Sequence, residues 1–184
     1  EYIPWVNFFL RIKHCDIYVI LDDVQYSRRS FQNRNIITNS NKDFYLTVPI
    51  KKNKFNAKIN EIKIDYSEDW IDNHLKAVTL SYKKYKNFAE IFFDYKRILN
   101  KKFKYLADLN IELINIIIQK FQFNCKIFLS SELDIKKKKS SLILEICKKL
   151  NANQYITGEG SKKYLIEKEF LDNKIDIKYI DNKR

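Results

Sequence analysis

The chain has 184 residues, of which 45% are hydrophobic and 15% aromatic, and this composition excludes an intrinsically disordered protein. No apolar stretch approaches the roughly 20 residues of a membrane span, and no secretory signal opens the chain, so the sequence predicts a cytoplasmic protein with one domain over residues 1–184. The net charge of +12 comes largely from dispersed lysines, which is typical of a solvated surface rather than of a specific nucleic-acid interface.

Apolar spacing in the first part of the chain predicts two helices and three strands. The helices cover residues 5–13 and 67–82, and the strands cover residues 16–21, 44–50 and 57–64. Ser67 is the predicted N-cap of the second helix, with acidic residues in the turn that follows. The strand at residues 16–21 ends at an acidic pair, so we expect a loop and a site there.

The remainder of the chain predicts a helical middle followed by alternating strands and helices. Residues 88–123 have helical periodicity with a break near Asn100. The predicted strands then cover residues 126–129, 154–157 and 175–180, and the helices residues 140–150 and 161–172. Alternation of this kind implies parallel pairing. The predicted fold class is therefore α/β, with a mostly parallel sheet flanked by helices and a helical insertion in the middle of the chain.

Residues 22–34, DDVQYSRRSFQNR, are the predicted working site. The chain has only six arginines, and three of them, Arg28, Arg29 and Arg34, lie in this segment, where their planar guanidinium groups could bind a diphosphate or carboxylate. Asp22 and Asp23 could serve as a general base or as metal ligands at a strand end. The alternative is a surface loop in which these acids and arginines merely pair with one another.

A second candidate is the turn TGEGSK at residues 157–162. Gly158 and Gly160 are the only glycines in the chain, so we expect each to lie where a side chain is not tolerated. The backbone amides of this turn and Lys162 could bind an anion, although the segment matches neither a P-loop nor a GxGxxG pattern. An ordinary left-handed turn is the alternative.

Isolated residues complete the set of candidates. His74 could act as an acid or base near neutral pH, or could be an ordinary helix-surface histidine. Tyr2 and Trp5 could form an apolar wall of a pocket or a corner of the core. The three cysteines share no spacing that indicates a disulfide framework or a zinc site. The sequence indicates no particular cofactor.

Several motifs together resemble the WbqC-like protein family throughout the chain. They are YIPW, DIYVILDDVQYSRRSFQNRN, LTVPI, HLxxVxxxY, SSEL and YITGEGSKKYL. The positions that match the family pattern are Pro4, Trp5, Asp22, Asp23, Gln25, Arg29, Asn33, Arg34, Thr47, Pro49, His74 and Gly158. Family members usually carry a Gln-Pro pair before the tyrosine at position 2 and continue past the last strand. The chain is therefore expected to be a fragment that lacks the native start and a C-terminal segment.

The resemblance implies an enzyme of bacterial O-antigen or capsule biosynthesis that transfers a small acyl group, such as glycyl, to an amino sugar. The expected partners are a nucleotide-linked sugar or an acyl donor, without a specific nucleic acid. In this mechanism the arginines hold the diphosphate, Asp22, Asp23 or His74 takes the amine proton, and Asn33 or Gln25 polarises the acyl carbonyl. Tyr2, Trp5, Thr47, Gly158, Gly160 and Lys162 complete the predicted substrate-binding set.

Two other interpretations remain open. A strand, an acidic pair and a basic loop could bind a nucleoside triphosphate and transfer a nucleotidyl group, with Asp22 and Asp23 holding a magnesium ion. Alternatively, the positive charge and aromatic content could belong to a non-catalytic nucleic-acid-binding protein.

Overall fold

A computed structural model describes residues 1–40 and 42–180, which form six α-helices and six short strands. The helices are α1 Val6–Lys13, α2 Trp70–Tyr82, α3 Phe88–Leu99, α4 Leu106–Lys120, α5 Lys139–Lys149 and α6 Glu167–Asp172. The strands are β1 Ile17–Ile20, β2 Arg34–Asn39, β3 Lys42–Thr47, β4 Lys126–Leu129, β5 Gln154–Thr157 and β6 Asp176–Tyr179. The fold is therefore mixed α and β. No helix in the described ranges is both long and apolar enough to cross a membrane.

The described strands associate in three separate pairs. β1 pairs with β4 and β5 pairs with β6 in parallel, whereas β2 and β3 form an antiparallel hairpin. Only two residues separate β2 from β3, which is too short for the crossover that parallel pairing requires. The predicted parallel pairing is present in two of the pairs. A larger, mostly parallel sheet with a central helical insertion is not confirmed.

The chain divides into two compact units. Unit 1 consists of Glu1–Pro4 and Asp23–Gln122, and unit 2 consists of Trp5–Asp22 with the described residues from Phe123 onward. The Trp5–Asp22 segment of unit 2 is followed directly by the Asp23–Gln122 segment of unit 1. The boundary between them therefore falls within the predicted working site. These two neighbouring acids, which the sequence presents as a pair at a strand end, therefore belong to different units.

Unit 1 contains the hairpin β2–β3 and the helices α2, α3 and α4 around one apolar core. Tyr2, Ile62, Ile98 and Leu106 are fully buried there, and Leu99 is nearly so. Removal of side chains of this size from water stabilises the fold by roughly 1.5–3 kcal/mol each. The core thus provides a rigid base beneath the hairpin and the loop that precedes it.

Unit 2 contains both parallel strand pairs and the helices α1, α5 and α6. Its apolar cluster forms around Phe170, which is fully buried, with Leu144, Cys147 and Ile175 against it. Parallel pairing of β1 with β4 also brings Cys15 and Cys125 together, with their sulfur atoms 3.5 Å apart and both thiols free. Burial raises the pKa of the Cys15 thiol to about 12, so this thiol is protonated at neutral pH.

The structure corrects three local predictions. Residues 57–64 form isolated bridges and a short 3-10 turn instead of a strand, because their apolar side chains enter the core without a continuous partner strand. Asp69, and not Ser67, caps α2 by accepting a hydrogen bond from the amide of Asp72. The helix predicted at residues 161–172 is divided into a 3-10 turn, Glu159–Lys163, and α6.

Candidate functional site

Residues 27–34 of unit 1 form a short segment, here called the arginine loop, that enters β2 at Arg34. The amide of Ser27 donates a hydrogen bond to Oε1 of Gln32 over 2.8 Å, and Oγ of Ser30 donates to the carbonyl of Ser27 over 2.7 Å. Side-chain bonds of this kind fix a turn where no neighbouring strand supplies partners. The arginine loop is therefore shaped by its own polar residues.

The three arginines of this loop carry uncompensated positive charge. Arg28 and Arg29 are exposed and Arg34 is half-buried. Within the described part of the chain, none of them forms an ion pair with an acidic side chain. The alternative that the acids and arginines of this segment pair with one another is therefore wrong for the described residues. The surface suits an anionic group with several oxygen atoms.

Arg34 holds the loop from its strand end. Its Cζ lies 4.2 Å from the centroid of the Tyr45 ring, and its Nη2 donates a hydrogen bond to the carbonyl of Arg29. Arg29 itself has a left-handed backbone with φ of 57°, a conformation that costs a non-glycine residue roughly 1–2 kcal/mol. Thr47 pairs with Arg34 across the hairpin, so its side chain lies on the same face. Arg34 thus fixes the backbone from which Arg29 projects.

Asp23 and Gln25 lie directly before the arginine loop in the same unit. Oδ2 of Asp23 is 3.7 Å from Nζ of Lys58, a distance that marks a weak ion pair. The backbone of Gln25 forms a bridge with Lys58, and its Nε2 donates to the carbonyl of Phe55 over 3.3 Å. The carboxylate of Asp23 and the exposed side-chain amide of Gln25 therefore precede the arginine loop in the sequence.

Asp22 has a different environment, at the carboxyl end of β1 in unit 2. Its buried carboxylate accepts hydrogen bonds from Oγ of Ser130 over 3.1 Å, from the amide of Ser131 over 3.0 Å and from Oγ of Ser131 over 2.7 Å. These serines follow β4, the parallel partner of β1, so the strand pairing delivers them to the carboxylate. Asp22 therefore joins the ends of two strands.

Asn33 is buried where the arginine loop meets the core. Its Nδ2 donates to the carbonyl of Val48 over 2.9 Å, and the amide of Val48 donates to the carbonyl of Asn33 over 2.8 Å. Its buried Oδ1 has no hydrogen-bond partner among the described residues. Asn110 donates from Nδ2 to the neighbouring carbonyl of Gln32, and its Oδ1 likewise has no partner in the described part of the chain. The Asn33 amide group thus serves to attach the loop to the hairpin.

His74 lies in a buried polar network of unit 1. Its Nε2 is 3.2 Å from the carbonyl of Thr47, which can only accept, so this nitrogen carries the proton. The bare Nδ1 then accepts a hydrogen bond from the Tyr2 hydroxyl over 2.8 Å, and that hydroxyl accepts one from Tyr95 over 2.6 Å. Burial lowers the pKa of His74 to about 4, which keeps the ring neutral.

The turn at residues 157–162 does not have the conformation that its glycines predict. Both glycines have negative φ, and a Cβ added to Gly160 would meet no atom within 4 Å. A Cβ on Gly158 would lie 3.5 Å from Nη1 of Arg11, an ordinary contact. The prediction that neither position tolerates a side chain is therefore wrong. Lys162 forms an ion pair of 2.6 Å with Glu159 and lies over the Tyr179 ring.

The other predicted residues are dispersed. Trp5 precedes α1 in unit 2 with 42% of its surface exposed, whereas Tyr2 is fully buried in unit 1. In the ranges described, no group of three or more His, Cys, Asp and Glu side chains is arranged to hold a metal ion. The arginine loop with Asp23, Gln25 and Thr47 is thus the part of the predicted site that unit 1 brings together.

Sequence reasoning missed several residues that shape this region. Ser130 and Ser131 could have been found from their position directly after β4, because the carboxyl ends of paired parallel strands meet at one edge. Tyr45 had no such signal, since its role depends on the hairpin register that places it near Arg34.

Comparison with known proteins identifies the chain's relatives. The sequence model of the WbqC-like protein family matches residues 1–184, the whole chain. The chain is also 31% identical over 183 residues to the uncharacterized protein Rv1507c of Mycobacterium tuberculosis (strain ATCC 25618 / H37Rv), covering 98% of this chain and 79% of that protein. No solved structure matches the chain significantly. By the match along its full length, the chain belongs to the WbqC-like protein family.

Proposed function

We propose that this protein is an enzyme of surface-polysaccharide biosynthesis that transfers a small acyl group, such as glycyl, to the amine of an amino sugar. The observation that carries the proposal is the arginine loop, where three guanidinium groups lack acidic partners in the described structure. A nucleotide-linked sugar offers the diphosphate that such a surface recognises. Membership of the WbqC-like family supports an enzyme.

The proposed binding roles follow from the exposure of each side chain. Arg28 and Arg29 are exposed and contact the diphosphate, whereas Arg34 keeps Arg29 in place through the bond to its carbonyl. Thr47 lies on the same hairpin face as Arg34 and offers its hydroxyl to the sugar. Gln25 is exposed and keeps one N–H beyond its bond to Phe55, and this N–H is assigned to the acyl carbonyl oxygen.

In the proposed reaction the amine nitrogen attacks the carbonyl carbon of an activated donor, such as a thioester or an ester. The new C–N bond forms while the bond from that carbon to the leaving group breaks. The amine proton passes to a carboxylate, and the departing thiolate or alkoxide takes up a proton. The sum of these steps is one amide bond and one free thiol or alcohol.

Asp23 is assigned as the proton acceptor. It lies two residues before Gln25 in the same unit, and its Oδ2 is 3.7 Å from Nζ of Lys58. Asp22 accepts three hydrogen bonds from Ser130 and Ser131, and both ring nitrogens of His74 have protein partners. Asp22 and His74 are therefore given positioning roles in this proposal.

The test is to incubate the protein with nucleoside diphosphate amino sugars and with glycyl thioesters or esters. Mass spectrometry is expected to show a sugar product heavier by one acyl unit. The matched control is the same sugar with its amine already acetylated, which blocks the amine nucleophile and must give no N-acylated product. Absence of a product with every combination of donor and sugar would rule out the proposal.

A further inference from the structure

Residues 51–58 form a largely exposed segment of unit 1, here called the Phe55 loop. The amide of Ala57 donates to the carbonyl of Lys54 over 3.1 Å and closes a turn at its tip. Phe55 lies in this turn with 88% of its surface exposed, the highest fraction among the large apolar side chains in the described part of the chain. A phenylalanine at this exposure contributes little to the core of unit 1, so packing does not explain it.

The loop around Phe55 is strongly basic. Its sequence, KKNKFNAK, contains four lysines and no acid, and all four lysines are exposed. Lys58 pairs weakly with Asp23, whereas Lys52 and Lys54 form no ion pair with any described residue. Hydrogen bonds from Ser67 lower the pKa of the Asp65 carboxyl, and the charge of Lys51 lowers it further. The loop therefore presents one apolar ring among several uncompensated cations.

The arginine loop adds positive charge next to this segment. The amide of Tyr26 donates to the carbonyl of Ala57 over 2.9 Å, and Gln25 bonds to the carbonyl of Phe55. The Phe55 loop is thus tied by backbone bonds to the residues that precede Arg28 and Arg29. Unit 1 therefore carries a basic surface with an exposed aromatic side chain.

From this arrangement we infer that the Phe55 loop binds the surface of an anionic lipid membrane. In such binding the Phe55 ring enters the boundary between headgroups and acyl chains, and the lysines contact anionic headgroups. Single-stranded nucleic acid is the competing partner, but its binding sites stack successive bases on several aromatic side chains along a groove. The Phe55 loop has one aromatic residue, whose side chain is almost fully exposed. The inference does not depend on acyl transfer.

The experiment measures co-sedimentation of the whole protein with vesicles. Vesicles that mix phosphatidylglycerol with phosphatidylcholine are expected to bind the protein, and phosphatidylcholine alone is not. Phe55→Ser should weaken the partition about tenfold, because the inserted ring is lost. Replacement of Lys52 and Lys54 by Gln should weaken it about fivefold per lysine.

Two matched controls separate this loop from general surface properties. Phe93→Ser removes an aromatic side chain that is 68% exposed on α3, and Lys136→Gln with Lys137→Gln removes two exposed charges from unit 2. Both controls should bind the anionic vesicles like the wild type. Equal losses in controls and loop variants would overturn the inference and leave only dispersed charge as the cause.

Fluorescence supplies a readout that does not depend on affinity. Phe55→Trp should shift its emission to the blue on addition of phosphatidylglycerol vesicles, whereas Phe93→Trp should not, since a ring that leaves water loses solvent relaxation. Tight binding of single-stranded RNA that survives moderate salt and requires Phe55, without any vesicle-induced shift, would overturn the inference in favour of nucleic acid. Neither vesicle co-sedimentation nor fluorescence uses catalysis, so the outcome of each is independent of the acyl-transfer assay.

Discussion

Arg34 stacks its guanidinium group on the ring of Tyr45 and at the same time donates a hydrogen bond to the carbonyl of Arg29. One side chain therefore links the exposed face of the hairpin to the most strained residue of the arginine loop, since Arg29 has a φ of 57°. This relationship separates the arginines by role. In the proposed function Arg34 therefore positions the loop, and Arg28 and Arg29 bind the ligand.

The substitution Arg34→Lys tests this positioning role. Lysine keeps the charge but loses the planar group that both stacks and donates in a fixed direction. We expect the free energy of unfolding to fall by about 1 kcal/mol and diphosphate affinity to fall with it, as measured by urea unfolding and calorimetry. The control Tyr45→Leu keeps the arginine and should lose less affinity. Wild-type affinity in Arg34→Lys would show that Arg34 does not position the loop.

Arg29→Gly separates stability from binding. Glycine adopts the left-handed backbone without strain, so the variant should be as stable as the wild type or up to about 1 kcal/mol more stable. It should nevertheless bind a nucleoside diphosphate more weakly, because a guanidinium group is gone. Thermal melting and calorimetry on the same sample check both statements. A destabilised variant that retained full affinity would contradict the assignment of Arg29 on both points.

Asp22 and Asp23 should respond in opposite ways to the same change. Asp22→Asn removes the charge that accepts three hydrogen bonds and should cost about 3 kcal/mol of unfolding free energy. Asp23→Asn removes the charge that forms a 3.7 Å ion pair with Lys58 and should cost less than about 1 kcal/mol. Asp23→Asn should therefore fold normally. In the acyl-transfer assay, this variant should lose activity. Equal stability losses in urea unfolding would disprove the distinction between the two acids.

His74 should make the protein less stable in mild acid. Burial lowers the pKa of the folded-state ring from 6.5 to about 4, so between these values the unfolded chain binds a proton that the folded chain does not. Stability is therefore fully present above pH 6.5 and is lost progressively as the pH falls toward 4, by up to about 3 kcal/mol. Unfolding in urea across this range measures the loss.

His74→Gln is the comparison that isolates this effect from the titration of carboxylates. The variant should be less stable than the wild type at pH 7, because the bonds to Tyr2 and Thr47 are disturbed. Its stability should then decline less steeply between pH 6.5 and 4. Parallel curves for the two proteins would mean that His74 does not titrate as its burial requires.

Local sequence patterns predicted the helices and strands whose ends are determined by residues close by in the sequence. The strands predicted at residues 126–129 and 154–157 coincide with β4 and β5, and the helical middle breaks after Leu99, near the predicted Asn100. The strand β2 was missed because it begins with polar residues and reads as part of a loop. The segment 57–64 alternates like a strand but makes only isolated bridges, which no local pattern reveals.

In the candidate site, too, some features follow from the local sequence and others depend on residues far away in the sequence. The scarcity of arginine elsewhere in the sequence singled out the arginine loop, whose guanidinium groups form no ion pair with an acid among the described residues. Adjacent acids could not be told apart from the sequence, because the partners of Asp22 are Ser130 and Ser131, more than one hundred positions away. The neutral state of His74 likewise depends on its burial, in a network with Tyr2, a residue 72 positions away in the sequence.

In the proposed function Arg28 and Arg29 bind the anionic part of the substrate. Calorimetric titration with a nucleoside diphosphate measures this binding in the wild type, in the double variant Arg28→Ala/Arg29→Ala, and in Arg97→Ala as a control. Arg97 is an arginine that pairs with Asp94 on α3. The wild type and the control should bind equally, and the double variant should bind at least about tenfold more weakly. Equal affinity in all three proteins, or no binding by the wild type, would contradict the claim.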